Sequence, residues 1–120
     1  LAEARTLQAE MAPGGIVHLA YYAMFQAARA VLVSMSGTSP KKHAGVINQF
    51  GLLAKDRSAE LRLAGDDLNK VQARRLRADY NETAHISPDD AKDAFRKAED
   101  FLDLCASEFG FPRGEHSRDA

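Results

Sequence analysis

The run Arg74-Arg75-Leu76-Arg77-Ala78-Asp79-Tyr80 gathers three guanidiniums, a carboxylate and a phenol into one short stretch, about two helical turns long if helical. A guanidinium carries a fixed fork of donors and a permanent charge, which suits phosphate and carboxylate. Arg75 is set apart by its phase. It falls on the seam Leu61, Ala64, Leu68, Val71, Arg75, Ala78, whose 3-4-3-4-3 spacing predicts an apolar residue there. An inward-phased Arg either binds an anion or pairs with a carboxylate of its own chain, and Asp79, one turn on, is placed for the second role. Arg74 and Arg77 fit a solvated helix face equally well. A second cluster, Lys41-Lys42-His43, follows Ser39-Pro40; its lysines can serve phosphate, and a His at a helix start either titrates or simply packs.

Other chemistries find no support in the spacing. The four histidines and the single cysteine include no i,i+4 pair and no Cys-x-x-Cys, so neither a metal nor a cofactor is expected. Asp66-Asp67 lacks the order of a calcium loop. Gly14-Gly15 and Gly37 do not form a phosphate-cradling loop. The net charge of -1, from 16 Lys+Arg against 17 Asp+Glu, excludes a global electrostatic field, so any nucleic-acid contact must be a local patch.

The elements that must position these residues are helical. The length of 120 residues predicts one domain, burying about two-thirds of its unfolded surface. Residues 2–11 are good helix formers, and Ala12-Pro13-Gly14-Gly15 is expected to end that helix. From Ile16 to about Met35 the apolar residues Val17, Tyr21, Met24, Ala28, Val31, Leu32 and Met35 recur at helical steps. Tyr21 and Tyr22 point about 100° apart, so one belongs to the core and the other faces outward. Ser36-Gly37-Thr38 breaks the helix, and Ser39-Pro40 is expected to open another running to Leu53. Ser58 can cap the helix that carries the Arg seam. Ser87-Pro88-Asp89-Asp90 opens a last helix with Ala91, Ala94, Phe95, Ala98, Leu102 and Cys105 inward.

The sum is an all-α, up-and-down bundle of about five helices over residues 1–109, with 110–120 as a flexible C-terminal tail. Cys105, alone and in an apolar stretch, reads as a packed thiol in a reducing, cytoplasmic setting. The longest apolar stretch is interrupted by His18, Gln26, Arg29 and Ser34, so no membrane span is expected. Leu1 opens within a helix-like pattern, without an initiator Met or a signal-peptide pattern, and a few native residues are expected before it.

Three segments together resemble the HEPN domain family, in its bacterial stand-alone branch: His18 to Ala30 with its Tyr21-Tyr22-Ala23-Met24-Phe25, Ser39 to Ile47 with its Lys41-Lys42-His43, and Arg75-Leu76-Arg77-Ala78-Asp79-Tyr80. The resemblance covers roughly residues 5–108. It implies a helical domain that dimerises through its long helices and lines a shared cleft with its Arg motifs. Many relatives are metal-independent ribonucleases or toxins that use an Arg and a His separated by four to six residues. In this chain that window holds Tyr80, Asn81 and Glu82 instead, and His85 stands beyond it.

The resemblance implies a homodimeric, cytoplasmic protein that binds a nucleotide or RNA phosphate, as one component of a toxin–antitoxin-type pair with a small nucleotidyltransferase. The ligand-binding candidates are Arg75, Asp79, Tyr80, Arg77, His43 and Lys42, and Tyr80 is also the candidate for adenylylation by the partner. Two alternatives stand beside this. One is a non-catalytic dimeric scaffold, with Arg75 paired internally to Asp79. The other is a metal-independent ribonuclease whose missing His is replaced by His85 or His43 from the partner chain.

Overall fold

Helix starts in this chain are decided by which residue can satisfy or dispense with the first orphan amides. The structure, a computed structural model, describes residues 12–80 and 86–111, excepting the side chains of residues 78–80. Four helices form among the described residues: α1 (Pro13–Ser36), α2 (His43–Lys55), α3 (Ala59–Tyr80) and α4 (Pro88–Phe109). The domain is all-α, and no strand occurs among the described residues. The expected first helix, 2–11, and residues 112–120 of the expected tail 110–120 lie outside them.

Two starts differ from the sequence expectation. Helix α1 begins at Pro13 rather than Ile16: Pro13-Gly14-Gly15 is its first turn, with Pro13 at the first helical position and Ala12 extended before it. The proline ring presets φ, and its missing N–H is one that no helical carbonyl needed. Helix α2 begins at His43 rather than Pro40, because Ser39 does not cap it. Ser39 Oγ instead donates to the Pro40 carbonyl at 3.0 Å and accepts from Arg29 Nε at 3.4 Å.

The other two starts follow the sequence. Ser58 Oγ accepts from the Leu61 amide at 3.1 Å. Ser87 Oγ accepts from the Asp90 amide at 3.0 Å while the Asp90 carboxylate accepts from the Ser87 amide at 3.3 Å, a reciprocal capping box. Gly37 and Gly110 end α1 and α4 at φ 83° and 75°, the left-handed conformation that glycine adopts without a Cβ penalty.

Helix α1 is the central element and touches the other three. Its inward stripe Val17, Tyr21, Met24, Ala28 and Val31 is fully buried, and Phe50 of α2 meets Phe101 of α4 with ring centroids 5.1 Å apart. Met35, expected inward, is exposed, and on α4 Phe101 takes the buried place expected of Leu102, which is half-buried. Cys105 is buried, which pushes its thiol up to about 12, so it packs as a small hydrophobe. Phe111 packs on the core beyond the end of α4. By length and composition α1 is apolar enough to cross a membrane, against the expectation from its interrupted run; half of its most apolar window is buried inside the bundle.

The seam between α3 and α4 is tied by charge. Arg74 Nη1 lies 2.8 Å from Asp93 Oδ2 and donates to the Asp90 carbonyl at 3.2 Å, and Lys97 Nζ reaches the same Asp93 oxygen at 2.7 Å. Arg74, read in the sequence as a possible solvated residue, is therefore a bundle tie. The Lys97 hydrogen bond, aided by Arg74, brings the Asp93 carboxyl down to about 2 against the opposing effect of burial.

A depressed folded-state value means that this contribution is present above the ordinary carboxylate range and is lost as pH falls. Stability measured by urea unfolding is expected to decline between about pH 4 and pH 2. In Asp93→Asn that acid-dependent decline becomes shallower, on a lower overall stability because Arg74 and Lys97 lose their partner.

Candidate functional site

Residues from three helices meet at Tyr21. The tyrosine belongs to the inward stripe of α1 and is 1% exposed, whereas Tyr22, a step of about 100° further round, is 52% exposed. The Tyr21 hydroxyl lies 2.7 Å from His43 Nδ1 at the start of α2. From α3, the Arg75 guanidinium carbon sits 4.9 Å from the Tyr21 ring centroid, a cation–π distance. One turn on from Tyr21, Phe25 stacks against the His43 imidazole with centroids 4.0 Å apart and planes 8° from parallel. The imidazole is thus held on one face by an aromatic ring and at Nδ1 by a phenol.

The position of Arg75 answers its anomalous phase. It is half-buried at the upper end of the α3 seam, above Leu68 and Val71, and meets an aromatic face instead of an aliphatic one. Its Nη1 donates to Gln72 Oε1 at 2.9 Å, which fixes the fork. Arg77 and Lys42 are exposed, Lys42 being the extended residue before α2, so neither belongs to the inner cluster. Asp79 and Tyr80 are in the last turn of α3, but their side chains lie outside the described residues, and so does His85. The proposed Arg75–Asp79 pair falls there too.

The electrostatics follow from burial and from the guanidinium. Burial pushes the Tyr21 phenol up to about 12, although the Arg75 charge and its donor contact oppose the rise. The phenol is therefore a protonated hydrogen-bonding group at neutral pH. Burial and then the Arg75 charge both hold the His43 imidazole below its ordinary value, because each disfavours the cation. His43 is accordingly neutral at pH 7, and Arg75 is the fixed positive charge of the cluster.

His43 is delivered to this place by tight packing just before and inside α2. A Cβ built on Gly45 would stand 2.8 Å from Pro40 Cβ, so the proline ring of the preceding segment rests directly on the glycine. Sequence reasoning identified Arg75 and His43 separately and treated Tyr21 as core or interface. The available signal was the i,i+4 pair Tyr21 and Phe25, two aromatics on one face of a helix. Among the described residues, a groove of about 460 Å³ lies between α2 and α3 beside Gly51 and Gly65, and another of about 310 Å³ lies over Leu63, Phe101 and Leu104. Among the described residues there is no grouping of His, Cys, Asp and Glu able to hold a metal ion.

Together these elements define a small all-α bundle domain with an Arg, a Tyr and a His converging from three helices. The profile of the HEPN domain family matches residues 3–108, and the chain belongs to that family. It is 37% identical over 84 residues to a Methanocaldococcus jannaschii protein named as a candidate toxin, a match spanning 70% of this chain and 61% of the relative. It is 33% identical over 87 residues to a UPF0332 protein of Thermotoga maritima, spanning 72% of this chain and 65% of the relative. A UPF0332 protein of Pyrococcus horikoshii is 58% identical over 33 residues, 28% of this chain and 22% of that protein. The matches thus cover less than two-thirds of each relative's length. No solved structure matches the chain significantly.

Two outcomes follow from the geometry. Arg75→Gln removes the charge beside His43 and is expected to raise the midpoint of its imidazole titration, followed by NMR of the ring protons. Gly45→Ala forces Pro40 away from α2 and is expected to lower stability by about 1–3 kcal/mol in urea unfolding, with a shift of the His43 ring signals as the segment moves.

Proposed function

We propose that the protein is the toxin-type component of a pair with a small nucleotidyltransferase, a cytoplasmic homodimer that binds a nucleotide or RNA phosphate at the Arg75–Tyr21–His43 cluster. The observation that carries this is the convergence of a permanent cation and a neutral imidazole, from different helices, on one half-buried edge of the bundle. Guanidinium and imidazole N–H groups are the donors that phosphate oxygens accept from. Exposed Lys42 and Arg77 add charge on the flanks, as an extended anionic backbone requires. The naming of the M. jannaschii relative as a candidate toxin supports the same reading. Tyr80, at the end of α3, is the residue proposed for adenylylation by the partner enzyme.

A specific observation favours a second reading. His43 of α2 and Arg75 of α3 meet the same Tyr21, so a group able to carry a proton stands beside the Arg within one chain. In that reading the protein is a metal-independent ribonuclease, with Arg75 stabilising phosphorane charge and His43 moving the proton.

Fluorescence anisotropy with a labelled single-stranded oligoribonucleotide tests the binding reading. Arg75→Ala is expected to weaken binding about tenfold and to flatten the dependence of log affinity on log salt by about one unit. Unchanged RNA affinity in a folded Arg75→Ala protein would instead assign Arg75 to a scaffold role. Incubation of the same RNA with the protein in EDTA separates binder from nuclease, since only the second reading expects cleavage that Arg75→Ala abolishes.

A further inference from the structure

The hydroxyl of Tyr21 has a hydrogen that must be placed. The residue is 1% exposed, which keeps water from it, and the single acceptor within reach among the described residues is His43 Nδ1 at 2.7 Å. A buried O–H left without an acceptor is costly, so the phenol donates and Nδ1 accepts. Arg75 reinforces that direction. A guanidinium has only donors and a positive charge, so it turns the phenol's lone pairs toward itself and the O–H toward the imidazole. The opposite arrangement, with Nδ1–H donating to the phenol, would strand the hydroxyl hydrogen against a cation.

We propose that Tyr21 locks His43 in the Nε2–H tautomer, so that with Arg75 the resting site presents a neutral imidazole donor and a guanidinium donor to a phosphate oxyanion. The stack on Phe25 completes the lock by fixing the plane of the ring. His43 Nε2 has no protein partner among the described residues, and on a half-buried ring it is the nitrogen left for a ligand. The consequence is chemical. With Nδ1 occupied by the phenol and Nε2 already carrying hydrogen, the resting imidazole has no open lone pair, so it acts as a donor to phosphate and not as a base. Tyr21 is a positioning residue here: it acts through His43 and touches no ligand itself.

This inference rests on the phosphate-binding reading for its ligand, but its tautomer half is measurable without one. Long-range ¹H–¹⁵N correlation NMR of the wild-type protein at pH 7.5 assigns the His43 tautomer directly. The expected result is Nε2–H, shifting to a mixture of tautomers in a folded Tyr21→Phe protein, which keeps the ring and loses the hydroxyl. An Nδ1–H tautomer or a protonated ring in the wild type overturns the proposal, whatever the protein binds. Titration with adenosine 5′-monophosphate and, separately, with a single-stranded oligoribonucleotide then reads the ligand half. Movement of the His43 Nε2 and Arg75 Nε signals supports it, and which probe acts at lower concentration distinguishes free nucleotide from RNA. The Tyr21→Phe affinity is expected to be about fivefold weaker. An Nε2–H tautomer with neither probe moving those signals rejects the phosphate-binding reading and the donor pair with it.

Discussion

The contact between the Tyr21 hydroxyl and His43 Nδ1 is the constraint on which the arrangement of this domain's site depends. Tyr21 lies on the buried stripe of the central helix, and a phenol there must find a partner for its hydroxyl. His43 is that partner, which fixes where α2 must begin relative to α1. The same ring gives Arg75 a face to lie on, so a charge in the seam of α3 is accommodated by an aromatic rather than expelled to solvent. One buried polar group thus relates three helices and creates a charged edge from what is otherwise an aliphatic core.

The two neighbouring arginines of α3 divide their work by direction. Arg74 turns to α4 and is held by Asp93 and the Asp90 carbonyl, so its donors serve the bundle. Arg75 turns toward α1 and α2, with its Nη1 on the amide oxygen of Gln72 and its guanidinium over the Tyr21 ring. Adjacent helical positions differ by about 100°, enough to make one guanidinium a structural tie and the next a site residue.

Much of the fold was legible in the sequence because periodicity reports burial directly. The stripe of α1, the seam of α3 and the capping serines Ser58 and Ser87 stand where their spacing and chemistry place them. What was misjudged turned on residues with two local meanings. Pro13-Gly14-Gly15 stops a preceding helix or starts a following one, and Pro40 opens a helix or rests on Gly45 from outside it. Leu102 and Phe101 compete for one inward direction, and the larger ring takes it because it meets Phe50 across the core.

By itself the sequence determined that the chain is a helical domain, most of the residues that line its core, and that Arg75 is a charge out of phase with its seam. These are properties of a single helix and its spacing, and short-range sterics and hydrogen bonding settle them. Only the tertiary structure decided that Arg75 and His43, distant in sequence, act on the same tyrosine, that Tyr21 and not Tyr22 is the buried one, and that Arg74 belongs to the α3–α4 tie. Such pairings depend on the rotation and register of whole helices against one another, quantities set by the summed packing of the core and carried by no local pattern of residues.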